Sequence, residues 1–349
     1  MSCNATSAEA LRGFTARAFG ALGVPEGDAA TVAALMVEAD LLGYDTHGLF
    51  RLRQYVNRLK GGGTNPAARP RVLRETAATA LVDGDNGLGH LAMRMATDLA
   101  MQKARATGIG WVGVRGNNHA GPAALYVRPQ AAAGMVGICA AVGSANHVAP
   151  WGGTDLLLGT NPIAIAAPSG GADPFVLDMA TTVAAVGKIK TLIQRGQMMP
   201  EGWMVGRDGQ PLTDPNRHKD GFLLPIGGPK GYGLSIAIGL LAGVLNGAAF
   251  GSDVVDFSAD TTSPTNTGQF VAAIDIAAFT DPETFAATAA RVFAELRASE
   301  PLPGHDPVRI PGDGREAARA ARLAEGIALH PGLKRELDSI ALELGLDPL

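Results

Sequence analysis

Short apolar runs, bounded by Gly, Pro or Asp and separated by stretches of helical period, constrain this chain more than any other feature. Thr79 to Val82, Ile109 to Val114, Met135 to Val142, Pro162 to Ala167, Phe175 to Met179 and Gln269 to Ile276 read as buried strands. Helical pattern covers Thr6 to Leu22, where Thr6 and Glu9 can form a capping box, and a second helix opened by Pro25. Further helices are expected over Leu49 to Leu59, Leu88 to Thr107, Thr181 to Ile193, Gly231 to Asn246 and Pro282 to Ala298. Arg315 to Leu344 is helical with a break near Pro331-Gly332. Strands interleaved with helices in this way build an α/β core.

The chain has 349 residues, of which 46% are hydrophobic and 18% charged, enough to bury a large core. A net charge of −4 and a pI near 6.0 give no reason to expect nucleic acid or an acidic membrane as partner. Two cysteines, Cys3 and Cys139, are too few for a disulfide framework, and Cys139 in its apolar run reads as a buried free thiol in a reducing compartment. The N-terminus lacks the basic and apolar regions of a signal peptide, so a cytoplasmic protein is expected. Tyr232 to Gly251 is uncharged and long enough to span a bilayer. Its glycines at 239, 243 and 247 instead suit a buried helix of a soluble protein, close to a subunit or domain contact.

Chemistry first appears in Tyr44-Asp45-Thr46-His47-Gly48-Leu49-Phe50-Arg51. If a helix runs from about Gly48, His47 and Arg51 lie one turn apart on one side. Imidazole can pass a proton near neutral pH, and guanidinium can hold a carboxylate by two parallel hydrogen bonds. The pair therefore suits a small acid with a reacting carbonyl beside its carboxylate; the bland alternative is a helix-entry histidine and a surface arginine.

Four more polar clusters interrupt apolar runs: Arg115 to Gly121, holding His119 at a strand's C-terminal end; Pro150 to Gly153 with Gly159 to Pro162; Leu177 to Thr182 followed by Lys188; and Gly227 to Gly233, where Lys230 and glycine amides at a helix start make an anion cradle. Singly, each is as easily a turn or a cap. Gly87-Leu88-Gly89-His90-Leu91-Ala92 matches the dinucleotide fingerprint, but the next strand ends at Val114-Arg115 without the acidic residue that holds a ribose. A tight turn into a helix is the better reading there.

Together these motifs resemble the type-2 malate/L-lactate dehydrogenase family, which also holds ureidoglycolate, sulfolactate and diketogulonate dehydrogenases and cyclic imine reductases. The resemblance rests on Asp45-Thr46-His47-Gly48-x-x-Arg51, Asn118-His119-x-Gly121, Ala149-Pro150-Trp151-Gly152-Gly153, Gly159-Thr160-Asn161-Pro162, Asp178-Met179-Ala180-Thr181 and Lys230-Gly231-Tyr232-Gly233-Leu234. It runs from about Ala8 to about Leu344.

The resemblance implies a non-Rossmann, three-layer mixed-sheet α/β cofactor domain over 76–309, with a helical domain formed from both chain ends, 1–75 and 310–349, in a homodimer. It implies reversible hydride transfer between NAD or NADP and C2 of a small 2-hydroxy or 2-oxo acid, with reduction of a cyclic imino acid as the alternative. His47 would be the proton donor and acceptor, protonated for reduction, with Arg51 beside it and His119 in the same cleft. Cofactor contacts would come from His119, Thr160, Asn161, Pro174, Val176, Asp178, Met179, Ala180, Pro229, Lys230, Gly231, Gly312, Asp313 and Gly314. Thr46 stands where many relatives carry serine, and Gly143 to His147 also departs, which bears on substrate identity more than on reaction type. A metal-dependent hydrolase or lyase built on Asp45, His47, His119 and His147 is the competing class, but no H-x-x-x-H or H-E-x-x-H spacing supports it, and no metal is expected.

Overall fold

The computed structural model describes residues 5–349; Cys3 lies outside them. In chain order the elements are β1 (Ala5–Thr6), α1 (Ala8–Gly20), α2 (Glu26–Leu41), α3 (Leu52–Gly61), β2 (Arg71–Glu75), β3 (Thr79–Asp83), α4 (Gly89–Thr107) and β4 (Ile109–Asn117). Then come α5 (Ala124–Ala132), β5 (Met135–Ala141), β6 (Ile163–Ala167), β7 (Phe175–Met179), α6 (Val186–Arg195), β8 (Met204–Gly206) and β9 (Gly221–Leu223). The chain closes with α7 (Pro229–Ile238), β10 (Thr267–Asp275), α8 (Pro282–Arg297), α9 (Arg315–Glu325), β11 (Ile327–Ala328) and α10 (Pro331–Leu344).

Seven strands form one mixed sheet in the order β2-β3-β4-β10-β5-β6-β7. Only β3 and β4 run parallel; every other neighbouring pair is antiparallel. The centre is apolar on both faces, with Val271 of β10 opposite Val112 and Cys139, because helical structure covers both. Helix α4 lies on β4 and β10 and α5 on β5 and β6, and the turns after α7 pack against β4, β5 and β10. Cys139 is a buried free thiol.

A second core joins the two ends of the chain. Leu11, Phe14 and Phe19 of α1, Val32 and Met36 of α2, and Leu52 and Tyr55 of α3 pack with Ile327, Leu337 and Ile340. Strand β1 pairs with β11 beside it. Ser7 caps α1, its hydroxyl accepting from the Ala10 amide at 3.2 Å, so the cap falls one residue beyond the expected Thr6. A third, smaller core gathers Val148, Leu158, Ile189, Met204 and Leu223 around α6 and the β8–β9 hairpin.

The expected single buried helix from Gly231 to Asn246 is not what forms. Regular α7 ends at Ile238, a π turn runs over Gly239–Gly243, and a 3₁₀ turn ends at Asn246. Gly239 sits against the Phe250 ring, where any side chain would collide, and Gly243 packs closely on Val142. The other side is bare: Leu240, Leu241, Val244 and Leu245 are 41–63% exposed. No helix among the described residues is long and apolar enough to cross a membrane.

Candidate active site

The His47 turn is built from beneath. Asp40, at the end of α2 and buried, accepts the Leu49 amide at 2.9 Å through Oδ2. Gly48 rests on that carboxyl so closely that a Cβ would stand 2.2 Å from Oδ1. Burial raises Asp40 to about 7, against the lowering effect of the Leu49 amide. Residues 49–51 make a 3₁₀ turn, so His47 precedes the helix rather than sharing a face with Arg51 one turn on. Both nonetheless line one cavity. Arg51 Nε donates to the Thr46 carbonyl and Nη1 to Gln54 Oε1, each at 2.9 Å. Three of its five N–H groups remain for the cavity.

Burial, and then the Arg51 charge, lower His47 to about 4. In the free site this favours a neutral ring, because an imidazolium would be desolvated beside a guanidinium. A neutral ring is ready to accept a proton. An anion on Arg51 would relieve the second of these causes and favour the charged ring.

His119 follows β4, its ring stacked on His47 with centroids 5.8 Å apart. Its Nδ1 lies 2.6 Å from the Tyr55 hydroxyl and accepts the Gly121 amide at 3.3 Å. An amide can only donate, so Nδ1 is unprotonated and the neutral ring carries its hydrogen on Nε2. Burial keeps His119 well below the usual range, with Arg51, His47 and His90 adding to the effect. The two histidines are thus distinct: His119 holds its hydrogen on Nε2, and His47 is neutral beside the Arg51 charge.

The cavity, of about 860 Å³, opens where the three cores meet. Met93, Ala120, Cys139, Ala141 and Pro162 supply an apolar wall, Ile189 and Met204 another. Phe257 closes it on the α3 side, held under the fully buried Arg58, whose guanidinium lies 4.8 Å over the ring. Arg58 also donates to the Gly63 and Ser263 carbonyls at 2.7 Å, tying this loop to α3.

Of the other residues singled out from sequence, Thr160 lines the same cavity. Asn161 is buried beside it as a brace, accepting the Gly143 amide at 2.8 Å and donating to Ser235 at 3.0 Å. Asp178 accepts the Ala124 amide at 2.9 Å, and burial raises it to about 6. Pro174, Val176 and Gly312 to Gly314 come together elsewhere: Val176 donates to the Pro311 carbonyl at 2.9 Å, and Asp313 is fixed by Arg297 at 2.6 Å. Met179 and Ala180 lead from there to Thr181, whose amide donates to the Thr160 carbonyl at 2.9 Å. Pro229 and Lys230 are exposed at the start of α7, Gly231 is buried, and none of the three lines the His47 cavity. Lys188 is exposed; Lys190, two residues on, lines the cavity instead. At the discounted fingerprint, Gly89 lies so close to the Asn118 carbonyl that a Cβ would be 2.2 Å away, so it packs α4 against the end of β4.

Tyr55, Lys190, Lys219, His218 and Asp256 escaped sequence reasoning. Tyr55 alone had a signal, standing four residues after Arg51 on the same helix. Among the described residues no three His, Cys, Asp or Glu side chains are grouped to hold a metal, and Asp45 pairs with Arg322 at 2.6 Å.

The chain is similar to known proteins over nearly its whole length. The profile of the family described as malate/L-lactate dehydrogenase matches residues 6–338. The malate dehydrogenase of Pyrococcus abyssi is 38% identical over 347 residues, 97% of this chain and 94% of that protein. The L-sulfolactate dehydrogenase of Methanocaldococcus jannaschii is 39% identical over 325 residues, 93% of each. A solved structure of sulfolactate dehydrogenase from M. jannaschii superposes with a TM-score of 0.90 at 37% identity, covering 98% of both chains. With the profile match spanning nearly the whole sequence, the chain belongs to the malate/L-lactate dehydrogenase family.

Proposed function

We propose that this protein is an NAD- or NADP-dependent dehydrogenase that interconverts a small 2-hydroxy acid and its 2-oxo acid. The observation that carries the reading is Arg51 with three unspent N–H groups in the same cavity as His47 and His119.

The residues divide the work. Arg51 takes the substrate carboxylate by two parallel bonds and turns C2 toward the apolar wall. His47 exchanges the proton of the C2 oxygen, assistance worth on the order of 10²–10⁴-fold. His119 donates its Nε2–H to an oxygen of the bound acid, and Phe257 with the Ile189–Met204 wall keeps water out. A bound nicotinamide supplies or takes the hydride.

The residues fit such a group. The cavity falls within the roughly 300–1,000 Å³ typical of small-molecule and cofactor sites, and Met93, Ala120, Cys139 and Pro162 make an apolar bed beside Thr160. Strand β7 supports the same reading: from Pro174 to Ala180 it covers roughly 20 Å at 3.3 Å per residue. One end meets the Gly312–Gly314 loop and a second cavity of about 700 Å³ lined by Pro174, Arg128 and Arg319; the other meets Thr160. The adenosine half would lie toward Pro174, Val176 and Asp313. Asp178, Met179 and Ala180 would flank its path, with Asn161, Pro229, Lys230 and Gly231 supporting the Thr160 end.

The bare face of Leu240, Leu241, Val244 and Leu245 is taken as the contact of a homodimer. The reading is tested by incubating purified protein with 2-oxo acids and cyclic imino acids, each with both reduced nicotinamides, and with ureidoglycolate and both oxidised nicotinamides, following loss or gain of reduced-cofactor absorbance. Turnover confined to 2-oxo acids is expected. Oxidation of neither cofactor by any acid would overturn it.

A further inference from the structure

The cavity carries more positive charge than one substrate carboxylate uses. Arg51, Lys190 and Lys219 line it, and Asp256 is the single carboxylate among the lining residues. The ring of His147 adds none at neutral pH, since burial, foremost, lowers it. Two positive charges are left over, and a monoacid on Arg51 would neutralise one of them.

Lys190 is placed to take the other. It stands one helical turn beyond Gly187, which packs on Thr46, the residue before His47. Its neighbour Ile189 is buried in the third core and so fixes this part of α6. Lys190 itself is half-buried and lowered by burial and then by Arg51, with Asp256 acting the other way, and among the described residues none hydrogen-bonds its ammonium. A partly desolvated ammonium without an acceptor is costly, and an anion on the ligand removes that cost.

We propose that Lys190 grips a second acidic group on the substrate, so that the site selects 2-oxo and 2-hydroxy acids with a carboxylate or sulfonate at the far end over monoacids. The inference rests on the dehydrogenase reading above and adds to it the residue that decides chain-end chemistry.

The test compares wild type with Lys190→Gln and Lys190→Arg, on oxaloacetate, 3-sulfopyruvate and pyruvate, with calorimetric binding of malate and lactate alongside. Wild type should prefer the diacids at least about tenfold in kcat/KM. Lys190→Gln should lose about ten- to a hundredfold on the diacids, chiefly through KM, and stay within about twofold on pyruvate. Lys190→Arg should restore most of the preference, and the KM of the reduced nicotinamide should not move. Equal losses on all three acids would overturn the proposal, as would a rise confined to the nicotinamide KM, which would assign Lys190 to a cofactor phosphate. If no acid were turned over, the dehydrogenase reading would fail by itself. The binding arm would still decide: an unchanged malate-to-lactate ratio in Lys190→Gln would remove Lys190 from this role.

Discussion

Replacing Arg51 separates carboxylate binding from everything else in the site. Its Nε and one Nη1 hydrogen are spent on Thr46 and Gln54, which leaves three on a side chain that lines the cavity. Two of these on a carboxylate, in a site this buried, are worth about 3–4 kcal/mol, or roughly 10²–10³-fold in kcat/KM. Arg51→Gln should lose that much toward any 2-oxo acid. Arg51→Lys keeps the charge without the planar fork and should recover about tenfold. A second effect runs with the first. Arg51 is the lesser of the two causes lowering His47 to about 4, burial being the larger, so His47 in Arg51→Gln should titrate higher than in wild type. In the oxidative direction, where the neutral ring is required, the acid limb of kcat/KM should move to higher pH. Steady-state kinetics from about pH 5 to 9 give both quantities, and fluorescence titration of the reduced nicotinamide should show unchanged binding. An Arg51→Gln enzyme within about threefold of wild type would refute the assignment.

Two further predictions come from the buried rings. Tyr55→Phe removes the hydroxyl that faces His119 Nδ1 at 2.6 Å, leaving only the 3.3 Å amide contact. We expect kcat to fall about three- to tenfold and the ¹⁵N resonance of that nitrogen to move further from protonated values; an unmoved resonance with unmoved kcat would rule out a positioning role. His90 is fully buried with neither ring nitrogen partnered, and burial lowers it from 6.5 to about 3. The unfolded chain takes up this proton below pH 6.5 and the folded one only near 3, so the wild type loses stability as pH falls through that window. His90→Leu should lack this slope and gain about 2 kcal/mol on wild type at about pH 5 relative to pH 8. Denaturant unfolding at the two values checks it; parallel curves for both proteins would contradict it.

Much of the sheet was legible because its inner strands are apolar runs cut off sharply by Gly, Pro or Asp. The missed elements lack that contrast. Edge strand β2 reads Arg-Val-Leu-Arg-Glu, is mostly exposed, and follows Pro70 like a linker. Helix α5 carries Pro129 inside it, against which no helical pattern stands out. The hairpin β8–β9 hides in a Gly/Pro-rich segment and pairs over three residues only. In the site, His47, Arg51, His119 and Thr160 sit in polar motifs that interrupt apolar runs, and they meet in one cavity. Lys190, Lys219 and Asp256 belong to surface-like stretches, and only packing of α6 and the 256–258 turn around the His47 loop brings them in. Lys230 was legible as a lysine at a glycine-rich helix start, but its place was not: it is exposed and lies outside the His47 cavity.

The most direct test of the account follows deuterium from the 4-position of a reduced nicotinamide into C2 of the product, in wild type and in His47→Gln. Wild type should deliver one deuterium per turnover; the variant should bind the cofactor with the same Kd and form product on the order of 10²–10⁴-fold more slowly. A His47→Gln protein that labels C2 at the wild-type rate would contradict the central assignment.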